Sequence, residues 1–193
     1  AAAPAGTASP SARKILDDLM PKAATDAELR ATLAYEYDAL GDSKAAANAL
    51  SQGPQDARSY GLRASLLAKA EDKEALTTLY DELRKDTSKP DPERRLLLGQ
   101  IAQFLKRPQD ALEWYSSVPG GPQRTEARLR TANVLFELGR KDEAFAQVRE
   151  LQGDASADDD ARRGAYLLEA ELKQKNQDDA GELDVLARGL SAY

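Results

Sequence analysis

Five times along this chain a short polar turn is followed, a few residues into the next apolar stretch, by a small residue: ALGDSKAA, AKAEDKEA, FLKRPQDA, ELGRKDEA and QKNQDDA. Aligned on Ala46, Ala75, Ala111, Ala144 and Ala180, the segments recur at intervals of 29, 36, 33 and 36 residues. Self-similarity of this period constrains the fold strongly, because each repeat is one supersecondary unit that buries its apolar face only against its neighbours. The small residue recurs where two helices cross too closely for a larger side chain.

Each repeat reads as a helical hairpin. In LLLGQIAQFLKRPQDALEWYSSV, residues 96–118, two runs of helical period flank KRPQD, and Pro108 cannot sit inside one long helix because it lacks an N–H and clashes with the preceding turn. Thr25 with Glu28 forms a capping-box pattern ahead of Leu33, Ala34 and Tyr37, while Asp91–Pro92 and Ser9–Pro10 each place a cap residue before a first-turn proline. Strand-like alternation is missing, and Val, Ile and Thr are sparse. The chain is therefore expected to be all-α.

The expected organisation is a disordered segment over 1–9, then one helical repeat domain over 10–193 with units at about 25–53, 54–88, 89–120, 121–153 and 156–191. Residues 10–20, PSARKILDDLM, form an orphan helix stacked on the first unit. The sharpest break, VPGGPQRT at 118–125, reads either as a domain boundary or as a helix start at Pro122; the regular spacing across it favours a continuous array.

Composition excludes much chemistry. The chain has no Cys and no His, which removes disulfides, thiolate nucleophiles, Cys/His zinc sites and Ser–His or Cys–His pairs. Its 33 acidic and 27 basic residues are interspersed, giving a net charge of −6 with no basic block to follow a phosphate backbone, so nucleic acid is not an expected partner. No apolar run is long enough to span a bilayer. Beginning at Ala1, in AAAPAGTASP, without an initiator Met or a signal pattern, the sequence reads as a trimmed or processed chain. The acidic run GDASADDDARR lacks the order of a calcium loop, and Asp158, Asp159 and Asp160 read instead as favouring the positive start of the next helix. Glu169 and Glu171, two apart on a helix, cannot face each other as a catalytic pair. GGP lacks the pattern of a phosphate loop. No cofactor or metal is expected, and the chain is not expected to be an enzyme.

A helix–turn–helix unit near 34 residues, repeated in phase, resembles the tetratricopeptide repeat (TPR) family. Leu33, Ala34, Tyr37, Gly41 and Ala46 carry the resemblance in the first unit. Leu62, Leu66, Ala75 and Leu79 carry it more loosely in the second, and Leu98, Gly99, Ala111 and Tyr115 in the third. Ala132, Leu135, Gly139 and Ala144 follow in the fourth, and Leu168, Ala170 and Leu172 in the fifth, where the turn must be a residue or two irregular. The resemblance implies an α-solenoid, a right-handed superhelix of about five hairpins plus the orphan helix. From Gly99 to Leu190 the sequence is also similar to the middle of long TPR lipoproteins of Gram-negative bacteria, one of which is an adaptor for a carboxyl-terminal processing protease. That likeness implies a periplasmic location, tethered to the outer membrane through a lipid anchor not in this sequence, with the cytoplasm as the alternative.

The family's groove positions fall on Tyr35, Asp38, Tyr60, Gln100, Phe104, Arg130, Asn133 and Phe136, where a protein or peptide would bind, an envelope protease or its substrates among the partners implied. Each aromatic has a second reading as interhelix core. A carboxylate clamp of the kind that grips chaperone tails is not expected, since only Asn133 has suitable chemistry at the clamp positions. The function expected is a protein-interaction scaffold; the alternative is a spacer or a module that self-associates through its repeat end faces.

Overall fold

The computed structural model describes residues 10–85 and 91–193. The segment 1–9, the Ser9 cap and the boundary expected at 88/89 lie outside these residues. Among the described residues there are helices and no strands. They are α1 (Pro10–Leu19), a single 3-10 turn (Met20–Lys22), α2 (Ala27–Ala39), α3 (Ser43–Ser51), α4 (Ala57–Lys69), α5 (Lys73–Arg84), α6 (Pro92–Phe104), α7 (Pro108–Ser116), α8 (Pro122–Glu137), α9 (Lys141–Gln152), α10 (Asp159–Lys175) and α11 (Asp179–Ala192).

The chain divides into two compact units, one running through Leu83 and the other beginning at Arg84. In the first, α1 lies against α2, α2 pairs with α3, and α3 packs on α4. In the second, α6/α7, α8/α9 and α10/α11 pair as hairpins, with α7 on α8 and α9 on α10. Helices thus pack in sequence order within each unit, the arrangement of an α-solenoid.

One turn is built five times. In each hairpin the central residue has positive φ: Gly41 (81°), Glu71 (52°), Lys106 (59°), Gly139 (78°) and Gln177 (57°). The next residue donates its N–H back over the turn, as Asp42 to Tyr37 O (2.8 Å), Asp72 to Leu67 O (3.0 Å), Arg107 to Ala102 O (2.8 Å), Arg140 to Leu135 O (2.9 Å) and Asp178 to Lys173 O (3.0 Å). This is the Schellman closure, and its left-handed residue is where glycine costs least. Lys106 is exposed. Lys106→Gly is therefore expected to stabilise the protein by about 0.5–1 kcal/mol, the relief of left-handed strain less the added freedom of the unfolded chain. Gly139→Ala should cost a similar amount, and urea unfolding of the two variants checks both signs.

Counting from these turns corrects the register. Five residues past the left-handed residue stand Ala46, Leu76, Ala111, Ala144 and Glu182. The alanines and Leu76 are buried, whereas Ala75 is only partly buried and Ala180 is exposed. Alignment on small residues alone slips by one position in α5 and by two in α11, because a leucine and a glutamate, Leu76 and Glu182, stand there at the place that alanine holds in α3, α7 and α9. Seven residues before each turn, Ala34, Ala64, Gly99, Ala132 and Ala170 are all small and buried, so the more faithful small-residue mark is on the first helices.

Capping follows the same logic. The cap of α2 is Asp26, accepting from Leu29 N (2.9 Å), in place of the expected Thr25, whose hydroxyl donates to Lys22 O (3.3 Å). Asp26, with extended backbone and a carboxylate facing the first free N–H groups, is the better partner for the helix start. Asp91 caps α6 ahead of Pro92 as expected, accepting from Arg94 N (3.1 Å). Asp158 caps α10 through Ala161 N (2.7 Å), and Asp159 and Asp160 pair with Arg162 and Arg163 in the first turn. The orphan helix is held to α2 by Tyr37, whose hydroxyl donates to Asp17 Oδ1 (2.8 Å), and by Arg13, which bonds Asp42 and lies over the Tyr37 ring.

Candidate protein-binding face

The expected groove residues lie on the first helices of four hairpins, α2, α4, α6 and α8, and fall into two sets, one in each unit. In the first unit Tyr35 is 73% exposed on α2. Asp38, near the end of α2, accepts from Ser43 Oγ (2.6 Å) and from Lys69 Nζ (2.8 Å), so it fastens α2 to α3 and α4. The Lys69 ammonium and the Ser43 hydroxyl hold its carboxyl below the ordinary aspartate range. Tyr60 bonds Glu82 on α5 (3.2 Å) and lies under the Arg63 guanidinium. Asp38 and Tyr60 thus serve intramolecular ties, and Tyr35 offers the open aromatic surface of this unit.

In the second unit α6 and α8 lie side by side. Gln100 on α6 donates to Glu126 Oε1 (3.1 Å), and Arg130, one turn along α8, donates to the same oxygen (2.8 Å). Glu126 was absent from the expected set, yet it joins two members of it. The signal was present in the sequence, since Glu126 stands four residues before Arg130, the spacing of a helical ion pair. Asn133 is partly exposed one turn beyond Arg130, and Phe104 is exposed at the end of α6. Phe136 turns the other way: its ring meets Phe145 edge-on at 6.2 Å and packs against the buried cluster of Ala132, Leu135, Ala144, Val148, Leu168 and Leu172. Its second reading, as interhelix core, fits this packing.

Gln103 is drawn down as well, accepting from the Tyr115 hydroxyl (3.0 Å), and burial pushes that hydroxyl up to about 12. The surface left between α6 and α8 is aromatic and amide in character, with a neutralised Glu–Arg pair at its centre. Such a surface can accept and donate hydrogen bonds to extended backbone and cover one apolar side chain; among the described residues no group of three or more metal-ligating side chains converges.

A second polar cluster is internal. Glu169 on α10 is 0% exposed and accepts from Arg149 Nε (2.8 Å) and Gln152 Nε2 (2.8 Å) of α9, and from Arg188 Nη2 (3.2 Å) of α11. Burial alone would raise its pKa, but the bonds from Gln152 and Arg149 and the two guanidinium charges outweigh it and leave the carboxyl below the ordinary glutamate range. Glu171, by contrast, is exposed and pairs with Lys175. The cluster ties three helices together.

No protein-family model matches the chain. A curated TPR repeat-containing protein of Pseudomonas aeruginosa is similar to it, 32% identical over 96 residues, which is 50% of this chain. The chain spans 16% of that relative's length. TPR arrays are protein-binding scaffolds as a class. Five hairpins closed by one turn geometry, a small buried residue at a fixed place on every first helix, and this likeness together give the chain the pattern of a tetratricopeptide-repeat array, to which it is similar.

Proposed function

We propose that this chain is a non-enzymatic adaptor segment of a larger TPR protein of the bacterial envelope, holding a protein partner on the first-helix faces of its hairpins. The observation that carries the reading is the α6/α8 surface, where Gln100, Glu126 and Arg130 share one oxygen while Asn133 and Phe104 stay accessible. A fixed, neutralised centre with an aromatic and an amide at its margins suits an extended peptide, whose backbone needs hydrogen bonds and whose apolar side chains need cover. An envelope protease or its substrates are the partners this reading favours. It is supported by the resemblance of the Gly99–Leu190 stretch to long TPR lipoproteins and by the similarity to a Pseudomonas aeruginosa protein. Periplasmic residence with an anchor elsewhere in the protein follows from the same reading, and fractionation of cells carrying the full-length protein tests it; recovery with the cytosol would overturn it.

The binding reading has a direct test. The purified chain and a Phe104→Ala/Asn133→Ala variant are used side by side to capture partners from envelope extract. The parent should retain a specific protein that the variant holds at least about tenfold less well, the loss expected when two contact residues of a hot spot are truncated. Equal capture by both, with matching circular dichroism, would remove the α6/α8 face from the site.

A further inference from the structure

We propose that the α6/α8 face selects its partner through one arginine of an extended segment, received between Phe104 and Glu137. The proposal rests on the reading of this face as a peptide site and adds the side chain that the site recognises. Counted from the turns, Phe104 and Glu137 hold the same place, two residues before the left-handed residue, on helices that lie side by side. Phe104 is 36% exposed, and Glu137 is exposed as well. In the other hairpins this place holds Ala39, Lys69 and Lys175, so an acid stands there in α8 alone.

Glu137 is placed against the local electrostatics. It stands in the last turn of α8, which has no basic residue, where the negative end of the helix opposes a carboxylate. Among the described residues no cation bonds it. Those around it in sequence, and the lysine at its own place on α10, are engaged elsewhere: Arg130 with Glu126 (2.8 Å), Arg140 with Glu143 (2.6 Å), Lys141 with Asn176 (2.6 Å) and Lys175 with Glu171 (2.6 Å). Its field reaches the face. Burial raises the Tyr115 hydroxyl first, and Glu126 and Glu137 add to that rise while Arg130 opposes it, the hydroxyl itself being bonded to Gln103 beside Phe104.

An unpaired carboxylate, an exposed ring and two amides on one face define the occupant. The carboxylate calls for a cation, and the ring beside it favours guanidinium over ammonium, because a planar, weakly hydrated group can lie on the ring while its N–H fork meets both carboxylate oxygens. Gln100 and Asn133 stand one turn further along the same two helices. Gln100 bonds Glu126 through its nitrogen, which leaves its carbonyl to accept from a partner's backbone N–H. An acidic side chain at the same place would meet Glu137 uncompensated, so the face also rejects.

Short synthetic peptides with one arginine beside one leucine in a serine and glycine background, labelled for fluorescence anisotropy, test this on the purified chain. The arginine peptide should bind at least about tenfold more tightly than the same peptide carrying citrulline, which has the arginine's shape without its charge. It should also bind more tightly than a lysine version, and a glutamate version should bind least. Glu137→Gln should bring the arginine peptide down to the citrulline level and leave the citrulline peptide unchanged. Urea unfolding should find this variant at least as stable as the parent, because an unpaired charge has been taken from the wrong end of a helix. Equal binding of the arginine and citrulline peptides, an arginine preference that survives Glu137→Gln, or no binding of any of the four peptides would overturn the proposal. So would a loss of stability in Glu137→Gln, which would reveal a partner for Glu137 inside the protein. The capture experiment with Phe104→Ala/Asn133→Ala decides the face itself: a partner lost from that variant, together with no arginine preference, would keep the face and remove its arginine.

Discussion

Replacing Arg149 and Arg188 together by alanine should destabilise the second unit by about 2–4 kcal/mol, since it strips a buried carboxylate of its cations. The lower part of the buried-pair range applies because the two arginine side chains are themselves about half exposed. Gln152 would remain as the donor to Glu169, too little to hold an ionised group with no access to water. Glu169→Leu should behave differently and stay within about 1 kcal/mol of the parent, because a well-packed apolar residue commonly replaces a buried ion pair without loss. The fold supplies the precedent: eight residues before the turn, where α10 has Glu169, α2 has Leu33 and α6 has Leu98, both buried. The pH dependence has a definite sign. The Glu169 pKa is lower folded than unfolded, so its contribution is complete above the ordinary glutamate pKa and fades as pH falls through the folded value. Urea unfolding of parent and Glu169→Leu at neutral and acidic pH should show the parent losing more stability on acidification. Parallel losses would mean that the carboxylate carries no linkage.

The second large effect is at Gly99. A Cβ placed there would fall within the ring of Tyr115, which is 3% exposed and pinned through its hydroxyl to Gln103. Alanine normally gains about 1 kcal/mol over glycine inside a helix. Here the overlap should reverse the sign and give a net loss of about 1–3 kcal/mol, as overpacking in a full core does. Tyr115→Leu relieves the overlap, so Gly99→Ala should cost distinctly less in that background, with a coupling of about 1 kcal/mol or more. Additive losses would show that Gly99 and Tyr115 do not confine each other.

Most of the fold was legible because helix periodicity, prolines and turn residues are local signals. Pro92, Pro108 and Pro122 each stand at the first position of a helix, and Asp91 caps α6 as expected. Where reading by type failed, a different residue type filled the same structural role. Leu76 takes the place that alanine holds in α3, α7 and α9, so aligning alanines chose the wrong neighbour in α5. At the start of α2, Thr25 and Asp26 are adjacent cap formers, and only the backbone decides between them. The candidate face was half legible. Register placed Gln100 and Arg130 on the neighbouring helices α6 and α8, whereas the ties of Asp38 to Lys69 and of Tyr60 to Glu82 run to other helices that sequence spacing does not relate to them. Glu126 was missed although its spacing from Arg130 was visible, because groove positions were taken from the family pattern and charge pairs were not.

Glu169 also restricts how hairpins of this kind can be recombined. It requires an arginine and a glutamine at two set places on the preceding second helix, which α9 provides as Arg149 and Gln152. The corresponding places hold Ser51 and Pro54 after α2, Asp81 and Arg84 after α4, and Ser116 and Pro119 after α6. Moved behind α7, the α10/α11 hairpin would meet a hydroxyl and a proline, neither of which neutralises a buried carboxylate. Hairpins that share a backbone are therefore not interchangeable modules: this one carries an address, and a rearrangement that moves it away from α9 is expected to cost the protein stability.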